Sequence, residues 1–319
     1  MGPLAPTVED AAIIYSAIAG YDPKDSTSSQ LPVSPVDLSG DIRGLKIALP
    51  QEYISGVGEE AKAAILAAVK TYESLGAIVE EISLPSASYS LPVYYILACA
   101  EASSNLARYD GIRYGYKAEQ YTDLDDMVCK TRTQGFGKEV QRRILLGNYV
   151  LSAGYYDAYY KKAQNLRRVI IRDIENIFEK YDAILTPTVP STAFELGFAP
   201  SDPVETYLTD ICTVTANIAG LPGISLPCGT DSKGLPIGMQ LMAKAGYHPQ
   251  AAISVWQKMN AYRDNNNLKT SLASSHPTHN TRIENLRRYL PQVMPIYQQQ
   301  AGNGLAEKST TANGEWQAL

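Results

Sequence analysis

The residues able to do chemistry are unevenly spread along this chain, and that excludes several mechanisms. All three histidines, His248, His276 and His279, lie in the last quarter, so the main body holds no imidazole. A serine activated by histidine, with aspartate behind it, is impossible there. His276-Pro277-Thr278-His279 has the i,i+3 spacing a helical metal site uses, but Pro277 interrupts it and no cysteine lies closer than Cys228. No metal is expected. Gly220-Leu221-Pro222-Gly223 has neither dinucleotide-fold nor phosphate-loop spacing, which argues against a nucleotide site.

Two other groups are better placed to grip a ligand. Arg142 and Arg143 fall in a helical stretch with an apolar face, where a guanidinium offers a planar fork to a carboxylate. The plainer reading is an ion-paired or solvated pair, since Glu139 lies one turn from Arg143. Asp210 borders the long uncharged run Ile211–Thr230, where an unpaired carboxylate is costly, so it is exposed at a helix end or paired with a cation. Tyr94-Tyr95 and the group Tyr155, Tyr156, Tyr159 and Tyr160 have helical spacing and read as core residues whose hydroxyls reach polar partners.

The elements that must hold these residues are legible as an α/β pattern. Thr7-Val8-Glu9-Asp10 opens an amphipathic helix that closes at Gly20. Residues 45–50 read as a short strand stopped by Pro50, 59–74 as a helix ended by Gly76, and 77–82 as a second strand. Strand, helix and strand at this length form a βαβ unit, so the fold class is a sheet covered by helices. Residues 92–182 read as a helical half with one long element from about 137 to 181. Short strands return at 183–187, 223–227 and 237–241, and Ile211–Thr230 reads as loop and buried strand. Beyond 242 come helices at 249–262 and 281–290, and a polar tail over 299–319 that is expected to be disordered.

Composition narrows the class further. With 319 residues, 45% hydrophobic, the chain can bury one large core or two modest ones. The net charge of −5 gives no general attraction for a nucleic-acid backbone or an anionic membrane, and the uncharged run at 211–230 is too broken by Pro and Gly to span a bilayer. Four widely spaced cysteines fit buried free thiols, and the expected compartment is the cytoplasm.

Six strings then carry a family resemblance: residues 2–12 (GPLAPTVEDAA), 100–115, 135–164 (GFGKEVQRRILLGNYVLSAGYYDAYYKKAQ), 181–194, 217–229 (NIAGLPGISLPCG) and 234–241 (GLPIGMQL). They resemble the C-terminal half of the amidase-signature family, in the branch of the aspartyl/glutamyl-tRNA amidotransferase A subunits. The resemblance implies a partial amidase-signature fold, a mixed sheet covered by helices over residues 1–242, followed by a short helical tail. It implies glutaminase chemistry by a Lys, cis-Ser and Ser triad, which supplies ammonia for tRNA-dependent amidation. No Gly/Ser-rich nucleophile segment occurs in the 319 residues, so the triad is expected to be absent and the chain inactive alone. What the resemblance keeps is glutamine recognition, with Arg143 on the α-carboxylate, Asp210 on the α-ammonium and Tyr94 at the amide end. Arg142 remains the neighbouring alternative, because a helix turns about 100° per residue and only one of the two can face a pocket. The implied partners are glutamine and, for a complete protein of this branch, the B and C subunits of the amidotransferase. No cofactor is implied on this chain, ATP and Mg being used by the B subunit.

Residues 243–298 depart from that pattern. The strings 241–259 and 274–298 resemble the end of a zinc metallopeptidase domain of the HtpX/BepA type, with His276 and Arg282 at supporting positions, yet HExxH occurs nowhere. Two such partial segments meeting near Leu241-Met242 imply a truncated, chimeric reading frame more simply than a bifunctional enzyme. Half a sheet fold would also leave edge backbone and apolar faces exposed, so the isolated chain is expected to be marginally stable and prone to associate.

Overall fold

A computed structural model of the chain describes residues 2–25, 41–197 and 203–244, together with residues 28, 30, 32, 33, 36 and 38. The expected helices at 249–262 and 281–290, the tail over 299–319, and the peptidase-like residues His276 and Arg282 lie outside the described residues. Within residues 1–242 the described residues form two compact units. The first runs to Tyr94 and resumes at Gln164, and the second is Tyr95–Ala163.

The first unit is built on a five-stranded mixed sheet of order β2-β1-β3-β5-β4. Its strands are β1 (Lys46–Pro50), β2 (Ile78–Ile82), β3 (Ala183–Pro187), β4 (Gly223–Thr230) and β5 (Pro236–Met242). β1 pairs parallel with β2 from Lys46↔Ile78 to Pro50↔Ile82, and parallel with β3 on its other side. β5 runs antiparallel to both β3 and β4. The parallel pair is the expected βαβ unit. Its crossover holds the short α2 (Gln51–Ile54) and the longer α3 (Glu59–Ser74). α3 ends where Gly76 takes φ +94°, and a Cβ there would lie 2.7 Å from Arg43 Cγ. Ala61, Ile65, Ala68, Val69 and Tyr72 form the buried face of α3, and Ile65, Ala68, Val69 and Tyr72 join Ile47, Leu49, Leu185, Met239 and Leu241 in one core. Each of the large side chains stabilises the fold by about 1.5–3 kcal/mol through removal from water. Ahead of the sheet, α1 (Val8–Ile18) starts at Thr7, whose hydroxyl accepts the Asp10 N–H at 3.1 Å. α1 buries Val8 and Ala12 but leaves Ile13, Ile14 and Ile18 exposed.

The second unit is helical. It holds most of α4 (Ser90–Leu106), then α5 (Leu124–Gly135), α6 (Lys138–Leu151) and a π-helix over Tyr156–Lys161. Asp123 caps α5 by accepting the Asp126 N–H at 2.9 Å. Close approach of α4 and α6 depends on Gly147, where a Cβ would lie 2.0 Å from the Cys99 carbonyl oxygen and 2.5 Å from Ser103 Cβ. Ser103 Oγ donates to Asn148 Oδ1 at 2.6 Å beside that contact.

Several expectations are corrected here. The single element from 137 to 181 is three pieces, α6, the π-helix and α7 (Lys162–Phe178). The break follows from Gly154 at φ +87° and from the Ser152 carbonyl, which accepts the N–H groups of Tyr155 and Tyr156 at 3.1 Å each. The four tyrosines after it are not core residues: none of the π-helix is buried, and Tyr155, Tyr156 and Tyr159 are exposed with rings stacked on neighbouring tyrosines. The stretch read as loop and strand from 211 begins instead with α9 (Val214–Ala219), preceded by α8 (Pro203–Leu208). All four cysteines are free, but Cys129 is exposed and Cys228 only half-buried.

Candidate functional site

The sequence leaves the choice between Arg142 and Arg143 open, and α6 separates them by burial. Both guanidiniums meet the same carboxylate: Arg142 Nη1 lies 2.6 Å from Glu139 Oε2, and Arg143 Nε lies 3.0 Å from Glu139 Oε1. The plainer reading of an ion-paired arginine pair is therefore present in the fold. Arg142 is exposed, whereas Arg143 is half-buried beside Ile144 and Gly147 on the inner side of the helix. Its guanidinium carbon stands 5.6 Å from the centre of the Tyr95 ring, a cation–π distance. The Cys99 thiol is held above its usual range by burial, with Arg143 lowering and Glu139 raising it by smaller amounts. A guanidinium has five N–H donors, so a bond from Nε to Glu139 is chemically compatible with a carboxylate gripped at the other edge. Glu139 also fixes the orientation of that edge. Arg143 thus belongs to the second unit, with Tyr95, Cys99 and Glu139 around it.

Asp210 and Tyr94 belong to the first unit. Tyr94 is half-buried on α4. Asp210 is half-buried in the turn between α8 and α9, and its main chain is heavily used. Its N–H donates to the Tyr207 carbonyl at 3.1 Å. Its carbonyl accepts the N–H groups of Thr213 and Val214 at 2.9 and 3.1 Å, and the Thr213 hydroxyl at 3.1 Å. The turn is thereby locked in conformation, and Asp210 is half-buried in the turn that leads into α9 rather than exposed at a helix end.

Behind that turn lies a buried polar set that sequence reasoning missed. The Tyr53 hydroxyl and Thr215 Oγ1 are 2.5 Å apart, and Gln240 Nε2 donates to Thr186 Oγ1 at 3.3 Å and to the Cys212 carbonyl at 3.4 Å. All five residues are buried. Burial pushes the Tyr53 hydroxyl and the Cys212 thiol each up to about 12, so both stay neutral near pH 7. The partners are 162 and 54 residues apart for Tyr53–Thr215 and Gln240–Thr186, so no local spacing could have announced them. Among the described residues, no group of three or more His, Cys, Asp or Glu side chains is placed to hold a metal ion, and no helix is long and apolar enough to cross a membrane.

Comparison with known proteins decides the family. The model of the family Amidase matches residues 1–250. The chain belongs to the amidase family. A second family model, Peptidase family M48, matches residues 231–290 and overlaps the end of the amidase match. Curated relatives named as the A subunit of glutamyl-tRNA(Gln) amidotransferase include that of Thermosynechococcus vestitus, 54% identical over 245 residues, which are 76% of this chain and 51% of the relative. That of Thiobacillus denitrificans is 55% identical over 244 residues, 76% of this chain and 50% of the relative. This amidase chain spans about half the length of the curated relatives it matches. Among solved structures, the glutamyl-tRNA(Gln) amidotransferase A subunit of Thermotoga maritima superposes with a TM-score of 0.60 at 38% identity, covering 80% of this chain and 50% of that one. A bacterial aryl acylamidase of the amidase-signature family superposes with a TM-score of 0.60 at 20% identity, covering 87% of this chain and 55% of that one, a likeness of fold alone. The mixed sheet covered by helices is thus an amidase-signature architecture, as the resemblance implies.

Proposed function

We propose that this chain carries the amino-acid-recognition half of an amidotransferase A subunit and binds free glutamine without hydrolysing it. The observation that carries the reading is the unequal placement of the arginine pair. Arg143, held by Glu139 and stacked against Tyr95, is the oriented and half-buried member, whereas Arg142 is exposed. An oriented guanidinium suits an α-carboxylate, and Asp210 on a rigid turn suits an α-ammonium; a zwitterion calls for that opposite pair. Tyr94 is assigned to the amide end. Breaking the amide bond requires an activated nucleophile, and the 319 residues offer no Gly/Ser-rich segment to supply one. Names of the relatives at 54–55% identity support the amidotransferase branch. In the complete assembly the partners would be the B and C subunits, with ATP and Mg used by the B subunit for amidation.

Calorimetric titration of the purified chain with glutamine tests this. Saturable binding is expected, lost on Arg143→Ala and kept on Arg142→Ala. Equal loss in both variants, or none in either, contradicts it. A second reading rests on the M48 match at 231–290: the segment 243–298, with His276 and Arg282, is a peptidase-derived interaction segment. Zinc retained through dialysis against a weak chelator would favour it.

A further inference from the structure

The turn that carries Asp210 is pinned from the sheet side, and the pins are polar, buried and specific. α9 has only six residues, too few to hold its shape through its own hydrogen bonds. Three outside groups hold it. The Tyr53 hydroxyl, on α2 just past β1, meets Thr215 in its first turn. The Gln240 amide, on β5, meets the Cys212 carbonyl just before it. Arg167 Nε, on α7, donates to the Ile218 carbonyl at 3.0 Å near its end. All of these residues lie in the first unit. Gly220, at φ +69°, then closes the helix.

The buried side chains of Val214 and Ile218 already supply an apolar anchor for α9. A tyrosine, a threonine and a glutamine are buried beside them, where leaving any one unpaired is costly. Such groups are directional: they fix rotation and height of α9 rather than its mere attachment. The Asp210 carbonyl is bonded to Thr213 and Val214, so the rotation of α9 is transmitted directly to Asp210. We infer that Tyr53, Thr215 and Gln240 are positioning residues for Asp210, setting where its carboxylate meets the ammonium group of an amino-acid ligand. The inference deepens the glutamine reading and rests on it.

The comparison that isolates positioning from general stability is already in the fold. Tyr72 is a second fully buried tyrosine of the same unit, but its hydroxyl faces a sulfur, Met239 Sδ at 3.8 Å. Tyr72→Phe therefore removes a buried hydroxyl without touching α9. Two readouts are needed. Hydrogen exchange by mass spectrometry on the full chain reports the Thr213 and Val214 amides. Tyr53→Phe and Gln240→Met are expected to speed their exchange about fivefold or more, while Tyr72→Phe leaves it unchanged. Titration then compares glutamine with 4-carbamoylbutanoate, which keeps the carboxylate and amide but lacks the α-ammonium. Tyr53→Phe and Gln240→Met should weaken glutamine about fivefold and leave the analogue alone.

Equal weakening of both ligands, or unchanged exchange at Thr213 and Val214, overturns the assignment and makes the network a stability element only. Asp210→Asn separates this from the underlying reading. If that variant still prefers glutamine over the analogue as strongly as the parent chain does, Asp210 does not meet the ammonium. The role given to it fails, whatever the exchange data show.

Discussion

The two units bury their apolar side chains in different ways. In the sheet unit, Ile47–Pro50 of β1 and all of β3 are buried, as strands covered on both faces must be. In the helical unit, α6 buries only Ile144, Gly147 and Val150, while Leu145, Leu146 and Tyr149 face water. The π-helix beside it buries nothing. The sheet unit is therefore held by one large core, whereas the helical unit combines a smaller buried set, with Leu97, Met127, Ile144 and Val150 among it, with the close backbone approach at Gly147. The residues proposed to grip the ligand follow the same division. Asp210 stands on a turn locked from a dry core, and Arg143 is oriented by a half-buried carboxylate and a half-buried ring.

That contrast can be broken first where it is strongest. Leu185→Ala in β3 should cost about 3 kcal/mol, because it opens a cavity in a core that cannot collapse, read as a lower urea midpoint with unchanged slope. Gly147→Ala should cost about 2 kcal/mol and fall on the other unit, since the new methyl meets a main-chain carbonyl rather than a flexible side chain. Hydrogen exchange should rise in α4 and α6 while β1 and β3 keep their protection. Uniform loosening of both units would deny that they are separately held. Tyr155→Ala and Tyr159→Ala should each cost under about 1 kcal/mol, as expected for exposed stacked rings, yet should reduce self-association in sedimentation. A monomeric parent chain with one cooperative melt would contradict the association expected from these faces and from Ile13 and Ile18 on α1.

The smallest effect is on pH dependence. Burial alone would raise the Glu52 carboxyl, but the Leu84 N–H and the Ser83 hydroxyl donate to it at 2.9 and 2.7 Å and leave it below its usual value. A carboxyl lowered in the folded state favours folding above its unfolded pKa, and that contribution is lost as pH falls through the folded value. Glu52→Gln should therefore lose that contribution at neutral pH and flatten the acid side of the stability curve, so that the variant and the parent chain converge below about pH 4.3. A steeper acid limb in the variant would contradict this sign.

Much of the sheet was legible from residue pattern. Pro50 and Gly76 punctuate the βαβ unit, and the strand at 183–187 is a largely apolar run. The failures have physical causes. Helical composition across 137–181 conceals a break that depends on a single left-handed glycine, Gly154. The tyrosines have core-like spacing, but a π-helix turns its side chains differently and leaves them in water. Apolar content at 211–230 reads as strand because α9 is short and, besides burying Val214 and Ile218, is held by Tyr53, Gln240 and Arg167, all distant in sequence. Of the candidate site, the arginine pair and its link to Glu139 were readable from one-turn spacing and Asp210 from its place beside an uncharged run, while the ligand roles of Arg143, Asp210 and Tyr94 came only from the family resemblance. Which arginine faces inward was not readable, since that depends on where Tyr95 and Gly147 bring α4.

The central claim is that recognition of glutamine is separable from its hydrolysis in these 319 residues. Equilibrium dialysis of the chain against isotopically labelled glutamine, with free ammonia assayed in the same cell, tests it most directly. The account predicts saturable retention of label, abolished by Arg143→Ala, with ammonia no higher than in a protein-free cell. Ammonia accumulating in proportion to the chain, or label distributed evenly across the membrane, would contradict it.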